Sequence, residues 1–190
     1  MGDFTFYFKL GLDHILSLDA LDHLLFLAAL RSVYVLRQWK EVLILATAFT
    51  IGHCITLALS TYKIVQFNTK WTEFLIPLTI LLVSLRTFFG QRAKGTKWFL
   101  YLMAAGFGLI HGMGYANYLR FMIPMDSSLA GPLVSFNIGI EVAQVIVVSV
   151  LLLISSLAVK TGVRQRQWQL LIATVTGLFA LWLCITRFPA

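Results

Sequence analysis

Residues 41–62 read Glu41-Val-Leu-Ile-Leu-Ala-Thr-Ala-Phe-Thr-Ile-Gly-His-Cys-Ile-Thr-Leu-Ala-Leu-Ser-Thr-Tyr62. No Lys, Arg, Asp or Glu stands between Glu41 and Lys63. A helix that crosses a bilayer needs about 20 mostly apolar residues, and this run supplies them. It also holds Thr47, Thr50, His53 and Thr56. An imidazole in mid-span costs a few kcal/mol on insertion scales, so its presence asks for a reason.

Working outward, charge clusters divide the rest of the chain into similar runs, at 12–36, 72–89, 97–120, 130–158 and 168–187. The expectation is an all-α integral membrane protein, a single transmembrane domain over residues 1–190 built as a bundle of about six transmembrane helices. Composition agrees: 59% of the 190 residues are hydrophobic and 12% charged, against about 25% charged in soluble domains. This argues against an ordinary soluble domain and a disordered chain. Two cysteines rule out a disulfide scaffold or a Cys-rich metal module. The connections are too short for a soluble domain. The N-terminus lacks a basic region and a cleavage site, so the first span is expected to be retained.

The net charge is +7. In a soluble protein that would suggest nucleic acid, but here the basic residues are spread over loops and a nucleic-acid partner is not expected. Ten of the 15 Lys and Arg fall to loops one, three and five. The positive-inside rule then puts both termini outside. Trp39, Trp71, Trp98 and Trp168 fall at span ends, where interfacial anchors belong.

All four histidines lie inside the expected spans. The first span holds Asp13, His14, Asp19, Asp22 and His23; the fourth holds His111; the fifth holds Asn137, Glu141 and Gln144. At 1.5 Å per residue, His23, His53, His111 and Glu141 all fall about 14–17 Å below one face. Asp13 and His14 fall about a turn below it, where they could line an entrance. Asp19, Asp22 and His23 share a helix face, as do Thr50 and His53, and Asn137, Glu141 and Gln144. Imidazole and carboxylate together suit Ni, Co, Zn or Fe. Asp19, Thr50 and Asn137 could orient such ligands from behind. Gly106, Gly108, Gly112 and Gly114 surround His111, and Gly108 with Gly112 forms a GxxxG pair that admits a close neighbouring helix. The run lacks the strand and the Lys-Ser/Thr of a nucleotide loop. Cys54 and Cys184 read as packing residues, Glu73 as interfacial and Arg86 as a snorkelling side chain.

These residues carry a resemblance. Gly11-Leu-Asp-His-Ile-Leu16, Leu21-Asp-His-Leu-Leu-Phe-Leu27, Thr47-Ala-Phe-Thr-Ile-Gly-His53 with Thr56-Leu57, Phe107-Gly-Leu-Ile-His-Gly112, and Phe136-Asn-Ile-Gly-Ile-Glu141 with Gln144 resemble the HupE/UreJ family, in its Bacteroidetes-type branch. The resemblance implies a multi-pass protein of the bacterial inner (cytoplasmic) membrane. It also implies a nickel or cobalt permease or accessory protein, with His14, Asp22, His23, His53, His111 and Glu141 as the metal-site residues. Asp13, Asp19, Thr50, Asn137 and Gln144 are the supporting residues expected behind them. The chain departs from the family pattern at Cys54, Tyr115 and Ala143, where Ser, Phe and Gly are usual. The expected partners are the lipid bilayer and a divalent transition metal (Ni, Co or Zn), and a homo-oligomer is left open.

Two other readings compete with transport. One is an intramembrane zinc hydrolase acting on a lipid or membrane peptide, with Asp22 or Glu141 as base. The other is a metal-free polar cluster or proton relay.

Overall fold

The computed structural model describes residues 2–17, 21–34, 36–66, 68–89, 97–122 and 128–189. These form α-helices and one short 3-10 turn, with no strand among them. The helices are α1 (Gly2–Leu16), α2 (Leu21–Ser32), α3 (Trp39–Thr61), α4 (Thr69–Phe89), α5 (Lys97–Met122), α6 (Ala130–Lys160) and α7 (Gln165–Thr186); the 3-10 turn at Leu36–Gln38 leads into α3. Four stretches are long and apolar enough to cross a membrane: Trp39–Thr61, Thr69–Phe88, Ala130–Lys160 and Gln165–Thr186. In α5 the apolar part is the shorter run Leu100–Ala116.

The first expected span, 12–36, needs correction. The chain is helical from Gly2, the helix stops at Leu16, and a second helix starts at Leu21. Hydropathy missed the earlier start because Lys9 and Asp13 interrupt the apolar pattern. It missed the break because Leu and Ala flank the acids on both sides. Asp22 sits in the first turn of α2, where the helix dipole favours a carboxylate.

Helix directions follow from the contacts. Ser135 Oγ donates to the Phe4 carbonyl and Tyr7 to that of Met122, so the starts of α1 and α6 and the end of α5 lie together. Phe74 packs on Phe188, which adds the start of α4 and the end of α7 to the same end. At the other end Ser32 bonds Thr87, and Arg166 reaches the Thr87 and Phe88 carbonyls. Thus α1 and α2 together run the length of the bundle once.

Two helix pairs approach backbone to backbone. In α3–α5 a Cβ on Gly52 would overlap the Ala105 carbonyl, one on Gly108 that of Phe49, and one on Gly112 that of His53. In α1–α6 the same holds for Gly11 against Phe136 and Gly139 against Phe8. Thr56 Oγ1 donates to the Leu109 carbonyl at 2.8 Å, stitching α3 to α5. Of the four glycines around His111, Gly108 and Gly112 make the close approach, whereas Gly106 has open space around it. Pro77 lies inside α4 and removes the N–H that would otherwise bond the Glu73 carbonyl.

Candidate metal centre

The helix pairs bring three histidines from three helices to one place. His14 comes from the last turn of α1, His23 from the first turn of α2 and His53 from mid-α3. One ligand nitrogen from each lies within 4.8 Å of the other two. Ring centroids are 4.6 Å apart for His14 and His23, 5.7 Å for His14 and His53, and 5.9 Å for His23 and His53. His111 joins from α5, its ring 5.2 Å from that of His23. Three nitrogens on one ion at about 2.1 Å lie about 3.4 Å apart in a tetrahedral site. Inward movement of the rings by about an ångström therefore closes the three-histidine set.

Buried polar atoms normally find partners. Here six ring nitrogens do not: His14 Nε2, both of His23, both of His53, and His111 Nδ1 are buried without a hydrogen-bond partner among the described residues. Leaving a buried polar group unpaired costs about 1–3 kcal/mol, and concentrating that cost in one cluster is the mark of a site kept for a ligand. The eighth nitrogen fixes a tautomer. Thr79 Oγ1 donates its single proton to the Ile76 carbonyl at 2.7 Å and lies 3.1 Å from His111 Nε2. His111 Nε2–H must then donate to Thr79, which leaves Nδ1 with the free lone pair. Replacing Thr79 by Val is expected to release this preference. The ¹⁵N shifts of metal-free protein should move His111 from the Nε2-protonated form to a mixture of tautomers; unchanged shifts would refute the assignment.

A cavity of about 730 Å³ opens above the cluster, and Asp13, His14, Asp22, His23, Glu73, His111, Tyr115 and Arg187 are in its wall. Asp13 is exposed, whereas His53 is 0% exposed. Arg187, just beyond α7, holds Asp22 at 2.9 Å. Tyr115 packs on the His14 ring at 4.0 Å and stacks on Phe136 at 5.2 Å. The opposite side is closed by aromatic rings. Phe26 and Phe49 stack at 4.5 Å, and each packs on His111, at 5.4 and 5.0 Å. The arrangement is a polar vestibule with three acids, a floor of imidazoles and an apolar plug beneath.

The sequence-expected residues divide in the structure. His14, expected about a turn below one face by depth and as a metal-site residue by resemblance, lies against His23 and also lines the cavity, because α1 begins at Gly2 and His14 is near its far end. Glu141 does not belong to the three-histidine group; its Oε1 accepts from Thr47 at 2.5 Å, while Oε2 is buried with no partner among the described residues. Thr50 donates to Gln144 Oε1 at 2.7 Å. Asn137 Nδ2 donates to the Leu133 carbonyl, and its Oδ1 has no partner among the described residues. This second polar seam joins α3 to α6 one to two turns along α3 from His53. Helical phase had placed these residues on one face but could not fix where the helices cross. Asp19 lies outside the described residues. Cys54 is half-buried and outside the group.

Sequence reasoning missed Thr79 and gave no site role to Glu73, Tyr115 or Arg187. Thr79 stood out only as a hydroxyl in an apolar run, which does not by itself mark a site. Arg187 had none, since only the fold carries it to Asp22.

This fold and cluster define a helical protein with helices long and apolar enough to cross a membrane and a group of imidazoles that could hold a metal ion. The chain belongs to the HupE/UreJ family: the family model described as HupE / UreJ protein matches residues 1–187. No curated protein and no solved structure matches it.

Proposed function

We propose that the chain is a multi-pass protein of the bacterial inner membrane that binds and passes a divalent transition metal of the nickel/cobalt kind. The observation that carries this reading is the group of three histidines with unpartnered nitrogens beneath an acidic vestibule. Family membership favours nickel or cobalt as cargo. The polypeptide would form one transmembrane unit with six crossings, α1 and α2 sharing the first. Both termini would face outward, as the Lys/Arg balance argues.

In this reading Asp13, Asp22 and Glu73 attract the hydrated cation and begin to replace its water. His14, His23 and His53 take it as neutral nitrogen ligands, with His111 Nδ1 as the fourth. Neutral imidazoles hold a divalent ion without a bound counter-charge, so the ion can leave as well as enter. Asp22 is released to the ion only when Arg187 moves away. Thr79 and Tyr115 orient His111 and His14 from behind. Glu141, with Thr47, Thr50, Asn137 and Gln144, forms a second polar station on the α3–α6 seam.

Nickel titration of purified protein tests binding, and uptake into proteoliposomes tests passage. The expected result is about one ion per chain and uptake above that of empty vesicles; the Thr79→Val protein should bind about 10–100-fold more weakly. A parent protein that binds neither nickel nor cobalt would refute the reading. Binding without uptake would assign the protein an accessory rather than a permease role.

A further inference from the structure

A second cavity, of about 510 Å³, lies on the far side of the Phe26 ring from the histidines. Its wall is apolar, including Leu30, Leu82, Leu100 and Phe107, with Tyr34 and Arg86 as its polar members. Leu82 and Leu85 are exposed, so the cavity opens sideways between α4 and its neighbours. Among the described residues that line it, the one charged side chain is Arg86, in the last turn of α4.

Arg86 forms no hydrogen bond or ion pair with a described residue. The acceptors nearest in the chain are already used, because Arg166 from α7 donates to the carbonyls of Thr87 and Phe88 at 2.7 and 3.0 Å. A guanidinium has five donors in a planar fork and cannot lose its charge in a protein. Arg86 is half-buried beside an apolar slot and faces the Tyr34 ring, with no carboxylate among the described residues that line the slot. A metal cation does not fit here, since the one charge has the wrong sign and the walls offer few ligand atoms. A free inorganic anion would leave the apolar walls unused.

We propose that this cavity is a binding site for an anionic phospholipid. One acyl chain lies along Leu30, Leu82, Leu100 and Phe107, and the headgroup phosphate accepts a bidentate pair from Arg86. The end of the bundle where Arg86 sits also receives most of the loop Lys and Arg, which concentrates anionic lipid around it. The lipid wedges between α2, α4 and α5 and packs beneath the Phe26–Phe49 plug. The site does not depend on metal binding.

Native mass spectrometry of the full chain in detergent, with phosphatidylglycerol or phosphatidylcholine added, tests this. The parent is expected to retain one phosphatidylglycerol about tenfold more tightly than phosphatidylcholine, the factor a single charged hydrogen-bond partner provides. The Arg86→Gln variant should keep its melting temperature and lose the preference. Leu82→Trp, which fills the slot from its open side, should lose both lipids. Equal retention of phosphatidylglycerol by parent and Arg86→Gln would overturn the proposal. So would a lipid-free mass of two chains, which would give the slot to a second copy.

Discussion

Replacing His53 by Leu is expected to make the metal-free protein more stable and to abolish nickel binding. His53 is completely buried, and neither of its nitrogens has a partner among the described residues. Leu has a similar volume and no polar atom to leave unsatisfied. Removing two unpaired groups should return about 1–3 kcal/mol, even after some loss from imperfect packing. Thermal unfolding in detergent should therefore show a higher melting temperature for metal-free His53→Leu than for the parent. Adding nickel should raise the parent's melting temperature and leave the variant's unchanged. Nickel affinity should fall by more than about a hundredfold, since a lost ligand costs more than a lost supporting contact. A lower melting temperature together with unchanged nickel affinity would show that His53 is a structural hydrogen-bonding residue instead.

Two glycines two positions apart, Gly106 and Gly108, should respond oppositely to the same change. Gly106→Ala meets open space, and Ala in a helix interior is favoured over Gly by about 1 kcal/mol. Gly108→Ala puts its Cβ into the Phe49 carbonyl oxygen. A backbone atom cannot rotate away as a side chain can, so α3 and α5 must separate. That separation weakens the Thr56–Leu109 bond and moves His111 away from His53's helix. The expected cost is about 3 kcal/mol, at the upper end of overpacking penalties. Gly106→Ala should melt at or above the parent temperature and bind nickel normally. Gly108→Ala should melt well below it and bind nickel weakly. Equal melting temperatures would mean that the α3–α5 contact is looser than the geometry indicates.

Both expectations rest on the helix contacts that build the site, and both involve residues the sequence had already singled out. His53 stood out because an apolar run of that length has no ordinary use for an imidazole. Gly108 and Gly112 stood out because their spacing puts them on one helix face. The role of Thr79 was not legible, because a hydroxyl in an apolar helix most often bonds its own backbone. Thr79 does that too, through Ile76, and only the proximity of α5 adds His111 as its second partner. Tyr115 was noticed as a departure from the family pattern, without any indication that it covers His14.

The sequence by itself determined the helical class, the presence of long apolar helices and the family. It also determined which residue types carry the chemistry. Each of these follows from composition, period and local motif, which depend on neighbours along the chain. Tertiary structure alone decided which of those residues meet. A helix fixes the angle at which a side chain leaves it, but not the height at which a partner helix crosses it. For that reason the fold alone sets His14 both in the cavity wall and against His23, and gives Glu141 and Gln144 to Thr47 and Thr50. The break between α1 and α2 has the same character: it sets His14 and His23 side by side from two helix ends, which one continuous helix would have held apart.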